Sequence, residues 1–427
     1  MKILLVQPMT YLFLHGGAHK ANRLLVEGLG EFGHQCRAVT LTTGAGDPMT
    51  YPELLAELAE RQVSVTRYAD GITFTYKGVE VHTANDYLSL CAELIRNIRE
   101  FQPDLTIVTE DGRCLLLEAA LEASPARVVY LAHSSSTLPF GPDSRSTDAN
   151  TAGLFHKTVG IMTVSNYMKR YFRQWAGLES SVFFFPAYGA GPFRRTASYD
   201  NGFVTIINPS LIKGISIFLE MARRMSDIEF AAVPTWATTY ENLIEMSQLR
   251  NVHILKPSND IDEIFSRTRV LLVPSLWSEA FAAIIVEAML RGIPVVASES
   301  GGIPEAMLGV GSTIPVRRIE RYDHGKAVVP EQDVDAWVNA LRDLVGDRQR
   351  YEQRSLESFE RALAFATNLS LAPFASYLEN LTPANHEGAQ VESKPDGQSR
   401  HDMSSAIGNL SPEKRALLAL RLKKRLG

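Results

Sequence analysis

The sequence predicts an α/β fold built on parallel β-sheets, and residues 270–307 show this most clearly. Residues 270–273 and 295–297 are short apolar runs, as expected for strands covered on both faces. Between them, residues 281–291 are mostly good helix formers, and Gly292 ends that segment. Such a strand–helix–strand unit is typical of a parallel sheet, in which ligands bind beyond the carboxyl ends of the strands.

The first half of the chain shows the same alternation of strands and helices. Its predicted strands lie at residues 2–7, 36–41, 105–109, 127–132, 160–165 and 182–185. Gly16 and Gly17 stand between the first strand and the first helix, where backbone N–H groups can approach a phosphate. Alternating residues at 72–76 and 79–82 predict a β-hairpin.

Polar residues follow the predicted strands of the first half. Glu110 and Asp111 come after residues 105–109, where a sheet presents ligand groups, although helix capping by Asp111 is an equal alternative. His133 follows residues 127–132, and its alternative role is that of a hydrogen-bonded loop residue. The polar loop after His133 is long enough to act as a lid over an acceptor.

The second half opens with a predicted strand at 203–207 and continues through Asn208 and Lys213–Gly214 into a helix at 215–225. A lysine at a helix start is a compact cation beside free N–H groups, which suits a diphosphate. The alternative is a surface lysine. Further strands are predicted at 230–233 and 253–255.

Two carboxylates stand near the helix predicted at 281–291. Glu279 lies in the loop before it, and Glu287 lies inside it. The helix N-terminus favours anionic or hydroxyl-rich ligands, and a carboxylate only accepts hydrogen bonds. The two residues are therefore candidates to read hydroxyl groups, one on a sugar and the other on a ribose. The alternative is a glutamate that favours the helix dipole and a second that is solvated.

Length and composition limit the class of protein. A chain of 427 residues predicts two or three domains, and a net charge of −5 gives no reason to expect a nucleic-acid partner. The three cysteines have no metal-like spacing and fit a reducing cytosol, so we expect a cytoplasmic protein. The apolar N-terminus is too short for a signal peptide, and no apolar run reaches membrane-spanning length.

Three consecutive motifs carry a family resemblance. P-S-L-W-S-E-A-F-A, E-A-M-L-R-G-I-P-V-V-A-S and G-G-I-P-E together resemble the donor-binding segment of glycosyltransferase family 4. The resemblance extends over residues 1–380 and is strongest over 206–307. It implies the GT-B fold, in which two Rossmann-like parallel-sheet domains face each other across a cleft. It also implies a retaining transferase that uses a nucleotide-diphosphate sugar and needs no metal and no other cofactor.

The resemblance also assigns roles to residues. It implies that Glu279 meets hydroxyls of the donor sugar, that Lys213 grips the diphosphate and that His133 lies close to the site of attack; these are the predicted catalytic residues. Glu287 would meet the ribose. The predicted donor-binding residues are Gly16, Gly17, Asn208, Lys213, Glu279, Ala280, Phe281, Ala282 and Glu287.

Two of these positions depart from the family pattern. The family has an arginine five residues before the lysine, where this chain has Asn208, which can donate a hydrogen bond but brings no charge. The family has a glycine after the phenylalanine, where this chain has Ala282. Alanine still lets the backbone approach the donor if its φ is negative. Both departures bear on how the donor is used.

Domains are predicted at 1–195 (acceptor binding), 196–358 (donor binding), 359–382 (a helix that returns to the first domain), 383–409 (a disordered linker) and 410–427 (an amphipathic tail helix). Ser411 and Pro412 form the N-terminal cap of the tail. The tail resembles the short helix at inter-module boundaries of nonribosomal peptide synthetases. This resemblance implies a natural-product pathway and an assembly-line partner; an oligomerisation or membrane-surface helix is the alternative.

The predicted function is transfer of a sugar from a nucleotide sugar to a hydroxyl of a small-molecule, lipid-linked or carrier-bound acceptor. Candidate acceptor-binding residues are Glu110, Asp111 and His19. Two alternatives stay open at this point. One is a nucleotide-sugar epimerase of the same fold, and the other is a non-catalytic scaffold that acts through its C-terminal tail.

Overall fold

The computed structural model describes residues 1–381, apart from 13–15, 44–49, 110, 190, 201, 259, 321 and 324–325. Glu110, the linker predicted at 383–409 and the tail helix predicted at 410–427 lie outside the described residues. Within the described residues, strands and helices alternate along the chain, as predicted.

The first half folds around a sheet that has nine strands in the described part of the chain. They are β1 (Lys2–Val6), β2 (Gln35–Leu41), β3 (Val65–Tyr68), β4 (Gly71–Tyr76), β5 (Val79–Ala84), β6 (Leu105–Thr109), β7 (Val128–Ala132), β8 (Gly160–Thr163) and β9 (Ser181–Val182). Their order is β3-β4-β5-β2-β1-β6-β7-β8-β9, and the pairs from β5 to β9 are parallel. The predicted hairpin is confirmed, since β4 and β5 pair antiparallel, and β3 adds a strand that was not predicted.

The second half folds around a parallel sheet that has five strands among the described residues. They are β10 (Phe203–Ile207), β11 (Phe230–Val233), β12 (Val252–Ile254), β13 (Thr268–Val273) and β14 (Val295–Ala297). Their order is β12-β11-β10-β13-β14, so the carboxyl ends of β10 and β13 are neighbours. A short antiparallel pair follows, β15 (Tyr322–Asp323) and β16 (Lys326–Ala327).

The helices pack on these sheets. They are α1 (Gly17–Glu31), α2 (Tyr51–Glu60), α3 (Tyr87–Phe101), α4 (Leu115–Ala123), α5 (Ala149–Ala152), α6 (Asn166–Ala176), α7 (Ile215–Arg224), α8 (Tyr240–Ser247), α9 (Ile261–Phe265), α10 (Ile284–Met289), α11 (Ile303–Ala306), α12 (Asp335–Val345), α13 (Arg348–Thr367) and α14 (Ala372–Leu381), with a 3-10 helix at Gly153–Lys157. The bounds predicted for α10, residues 281–291, are wrong. The helix starts later because Ala282 has a φ of +61°, which no α-helix can continue through.

The last helix of the described residues, α14, packs on the first sheet. The ring of Phe374 on α14 lies 4.5 Å and 4.7 Å from the rings of Phe183 and Phe185, measured between centroids. These phenylalanines follow β9, and the strand predicted at 182–185 is wrong beyond Val182. None of the described helices combines the length and the apolar character needed to cross a bilayer.

Candidate functional site

The carboxyl ends of β10 and β13 bring together two of the predicted site residues. Lys213 follows β10 and Glu279 follows β13, and Lys213 Nζ lies 2.5 Å from Glu279 Oε1. Both side chains are largely buried, with exposed fractions of 19% and 11%. Ser275 Oγ donates a hydrogen bond to the same carboxylate at 2.7 Å. The structure therefore places a buried ion pair where a parallel sheet binds its ligands.

Two opposing effects set the ionisation of Glu279. Burial acts to raise the pKa of its carboxyl, but the Lys213 ammonium and the hydrogen bonds from Lys213 and Ser275 outweigh burial and hold the pKa below its usual value. The site thus holds a carboxylate anion beside a cation. In a region with little water, such charges act more strongly on a ligand than they would at the surface.

Gly214 explains how the Lys213 loop lies so close to the neighbouring strand. Its φ is +77°, and a Cβ at this position would stand 1.9 Å from the carbonyl oxygen of Pro274. Glycine is the residue that fits such a close approach at positive φ. Because α7 begins directly afterwards, its free N–H groups lie at the same edge as the lysine.

The glycine pair after β14 supports the Glu279 loop. Gly302 N donates to the carbonyl oxygen of Glu279 at 2.6 Å. A Cβ on Gly301 would stand 2.3 Å from that same oxygen, and a Cβ on Gly302 would stand 2.1 Å from the carbonyl oxygen of Ala280. The G-G-I-P-E motif therefore holds the backbone of the carboxylate loop through close packing.

Glu287 lies on α10 and pairs with a residue from the first half of the chain. Lys20 Nζ, on α1, lies 3.4 Å from Glu287 Oε1. Burial raises the pKa of the Glu287 carboxyl, and the nearby Lys20 ammonium only partly opposes this effect. Gly16 and Gly17 begin the same helix, and a Cβ on either would meet no atom of the described residues within 4 Å. The start of α1 therefore lies near Glu287, and the described residues leave its backbone uncovered.

His133 follows β7 and is held by the first helix. Its Nε2 lies 2.7 Å from Asn22 Oδ1, while Asn22 Nδ2 donates to Gln7 Oε1 at 2.9 Å. Since the Asn22 oxygen must accept, the imidazole carries its proton on Nε2. Burial, with a smaller contribution from the neighbouring His19, lowers the pKa of His133 to about 3. The imidazole is therefore neutral near pH 7.

The segment from Ala280 to Ala282 has a backbone conformation that differs from the one expected for alanine at position 282. The Phe281 side chain is buried and packs on Phe184 and Phe365, with centroid distances of 5.2 Å and 6.0 Å. The φ of Ala282 is positive, at +61°. Alanine would replace glycine here without strain only if its φ were negative, and the structure does not have that negative φ. Through its backbone, the segment keeps the shape that a glycine would favour.

Asn208 is buried, with a φ of +62° that asparagine tolerates better than most residues. Its Oδ1 accepts a hydrogen bond from Ala237 N at 3.0 Å and contacts Thr238 Oγ1 at 3.5 Å. The Asn208 side chain thus binds the loop after β11.

The predicted acceptor-binding residues Asp111 and His19 have surroundings different from those of the Lys213–Glu279 pair. Asp111 is fully buried and accepts hydrogen bonds from Leu117 N at 3.0 Å and from the Tyr87 hydroxyl. Burial raises the pKa of its carboxyl. This geometry favours the capping interpretation, and contact with an acceptor stays a prediction. His19 lies on α1 in electrostatic contact with His133.

A set of contacts between the two halves has no local signal in the sequence. Ser278, next to Glu279, donates to Asp143 Oδ1 at 2.9 Å, and Arg318 Nη1 donates to Ser278 Oγ at 2.9 Å. Asp143 belongs to the polar loop that was predicted as a lid. Glu305, of the G-G-I-P-E motif, binds the backbone at the start of α6. No group of three metal-binding side chains occurs among the described residues.

Known proteins match part of the chain by sequence. Residues 202–347 match the family model described as "Glycosyl transferases group 1". A D-inositol 3-phosphate glycosyltransferase of Corynebacterium aurimucosum is 30% identical over 146 residues, which are 34% of this chain and 30% of that relative. The chain thus spans about a third or less of the length of the curated relatives that it matches.

Solved structures match most of the chain. Anabaena Alr3699/HepE in complex with UDP-glucose has a TM-score of 0.61 at 18% identity, covering 89% of this chain and 98% of that one. Sucrose-phosphate synthase from Thermosynechococcus elongatus has a TM-score of 0.62 at 15% identity, with coverages of 89% and 98%. The chain therefore has the predicted GT-B fold, in which two Rossmann-like parallel-sheet domains face each other across a cleft.

Proposed function

We propose that the chain is a glycosyltransferase that moves a sugar from a nucleotide-diphosphate sugar to an acceptor hydroxyl. The observation that carries this proposal is the buried pair of Lys213 and Glu279 at the ligand-binding edge of the second sheet. The match of residues 202–347 to a glycosyltransferase family model and the GT-B fold support it.

The charges of the pair suit the two parts of such a donor. The Lys213 ammonium and the N-terminus of α7 would offset the negative charge of the diphosphate as it leaves. The Glu279 carboxylate would accept hydrogen bonds from hydroxyls of the sugar, which orients the reacting carbon. Glu287 would accept from the ribose after releasing Lys20. In this proposal the lysine and the helix supply the positive charge, and no metal ion is required.

His133 would stand beside the reacting carbon as a neutral imidazole. A neutral ring does not repel the positive charge that develops on a sugar carbon as the diphosphate departs. Retention of the anomeric configuration rests on the resemblance of the motifs around Glu279 and Glu287 to the retaining family. The acceptor would then attack from the face that the diphosphate leaves, and closure of the two domains would exclude water.

The acceptor is a small molecule, a lipid-linked group or a carrier-bound group in this proposal, and Asp111 and His19 remain its candidate contacts. The natural-product pathway and the assembly-line partner rest on the tail at 410–427, which lies outside the described residues, so they remain predictions.

The first experiment is calorimetric titration of the full chain with UDP-, GDP-, TDP- and ADP-sugars in buffer that contains a chelator. Saturable binding of one sugar nucleotide, followed by transfer to an acceptor with retained configuration by NMR, would support the proposal. A changed sugar without any acceptor would indicate an epimerase instead, and binding without turnover would indicate a scaffold.

The site assignment is tested separately by Glu279→Ala and Lys213→Ala. We expect both variants to bind the donor at least about tenfold more weakly, since each loses a charged contact. Unchanged donor affinity and turnover in both variants would show that the donor binds elsewhere.

A further inference from the structure

The loop after β11 carries an exposed tryptophan at the ligand-binding edge of the second sheet. Trp236 is 53% exposed, a large fraction for so apolar a side chain. Its ring centroid lies 6.4 Å from that of Trp277, with the planes inclined at 50°. The two indoles come from loops after β11 and β13, on either side of the Lys213 loop that follows β10. They therefore form an aromatic pair at the edge described above.

This pair stands next to the charged residues of the proposed donor site. Lys213 Nζ lies 4.8 Å from the centre of the Trp277 ring, and the same atom lies 2.5 Å from Glu279 Oε1. A ligand that places its diphosphate at Lys213 therefore has an aromatic surface within reach of its neighbouring groups.

The loop that carries Trp236 is held by several hydrogen bonds. Thr235 N donates to Thr238 Oγ1 at 3.2 Å, and Thr238 N donates to the Thr235 carbonyl oxygen at 3.1 Å. The buried Asn208 amide then holds Ala237 N at 3.0 Å. An exposed indole on a loop with this many internal hydrogen bonds is preorganised, so little entropy is lost when it packs on a ligand.

We propose that Trp236, together with Trp277, forms an aromatic subsite that stacks on a ring of the nucleotide sugar. The ring is a nucleobase or the C–H face of the sugar, since both present a flat surface to an indole. Asn208 is the positioning residue of this subsite. The asparagine thus replaces the charge of the family's arginine with an anchor for a stacking surface. This inference rests on the proposed function.

The test compares five variants by calorimetry with UDP-, GDP-, TDP- and ADP-glucose and with the corresponding nucleoside diphosphates. We expect Trp236→Ala to raise the dissociation constant about tenfold. Trp236→Phe should retain most of the affinity, because phenylalanine still stacks. Trp175→Ala is the matched control, since Trp175 is 46% exposed but lies on α6 in the first half. We expect it to bind like the wild type.

Asn208→Gly removes the anchor and still accommodates the positive φ. We expect it to weaken binding a few-fold in the wild-type background and to have no further effect in the Trp236→Ala background, because it acts through that indole. If Asn208 had a merely structural role, Asn208→Gly would cause the same loss of affinity in both backgrounds.

The outcomes separate this inference from the proposed function. If Trp236→Ala loses the same affinity for a nucleoside diphosphate as for its sugar derivative, the subsite is assigned to the nucleobase. If it loses affinity for the sugar derivative alone, the subsite is assigned to the sugar. If the wild type binds one of these probes and Trp236→Ala binds it equally well, or if Trp175→Ala is equally weakened, the inference is wrong and the proposed function stands. If the wild type binds none of them, both are wrong.

Discussion

The carboxylate of Glu305 accepts two hydrogen bonds from the backbone N–H of Asn166, at 3.0 Å to Oε1 and 2.9 Å to Oε2. The two residues are 139 positions apart and join the second half of the chain to the first. Tyr167 N donates to the same carboxylate at 3.3 Å. An acidic side chain of one half therefore caps the positive end of a helix in the other.

We predict that Glu305→Gln shifts the chain towards a more open arrangement of its two halves. The variant loses the favourable interaction of a negative charge with the helix N-terminus, which contributes about 0.3–1 kcal/mol in an exposed setting. Small-angle X-ray scattering without ligand should show a larger radius of gyration. Glu299→Gln, which changes an exposed carboxylate of the same segment, is the control. Identical scattering from the two variants would contradict the prediction.

We predict that Lys213→Met destabilises the chain through Glu279. Without the ammonium, burial dominates and the pKa of Glu279 moves above its usual value, so the loss in stability should amount to about 1–3 kcal/mol. The sign of the pH dependence should reverse. In the wild type, the lowered pKa of Glu279 contributes stability that is lost as the pH falls, whereas the variant should lose stability as the pH rises through the usual range for glutamate.

Denaturant unfolding from about pH 3.5 to about pH 7 measures the effect, because this range includes the usual pKa of a glutamate carboxyl group. The double variant Lys213→Met/Glu279→Gln should recover much of the lost stability, because it leaves no buried charge without a partner. If the double variant loses as much free energy of unfolding as the two single variants lose together, a direct interaction between Lys213 and Glu279 is contradicted.

We predict that His133 makes the chain less stable in acid. Its pKa is lowered to about 3 from the usual 6.5, so the unfolded chain takes up this proton at a higher pH than the folded chain. Stability should fall as the pH falls from 6.5 towards 3, with a slope from this residue of up to about 1.4 kcal/mol per pH unit. His133→Gln keeps a donor for Asn22 and should reduce that slope. Imidazole NMR shifts that show His133 protonated at pH 5, roughly midway between the two pKa values, would contradict the prediction.

We predict that Ala282→Gly stabilises the fold. The residue has a φ of +61°, and the left-handed region costs a residue with a Cβ about 1–2 kcal/mol. Part of that gain is offset by the greater freedom of glycine in the unfolded chain, so we expect a net increase of about 1 kcal/mol or less. Thermal unfolding measures it. Ala288→Gly, inside α10, is the matched control and should destabilise by about 1 kcal/mol.

The fold was predictable where the pattern is local. Buried parallel strands such as β10 and β13 are continuous apolar runs, and the hairpin at β4 and β5 has an alternating pattern around a glycine turn. The strand β3 was missed because its exposed residues form no apolar run. The late start of α10 was missed because alanine gives no signal for a positive φ.

The sequence by itself determined that the chain alternates strands and helices in two halves. It also identified Lys213 and Glu279 as charged residues next to helix starts and Glu287 as a carboxylate inside a helix, since motif spacing and helix periodicity are local properties. Only the tertiary structure decided which charges meet. It paired Lys213 with Glu279, Lys20 with Glu287 and Glu305 with Asn166, and it turned Asn208 towards the Trp236 loop. Separations of up to 267 positions between such partners leave no local trace, because these contacts arise from how the sheets, helices and halves pack.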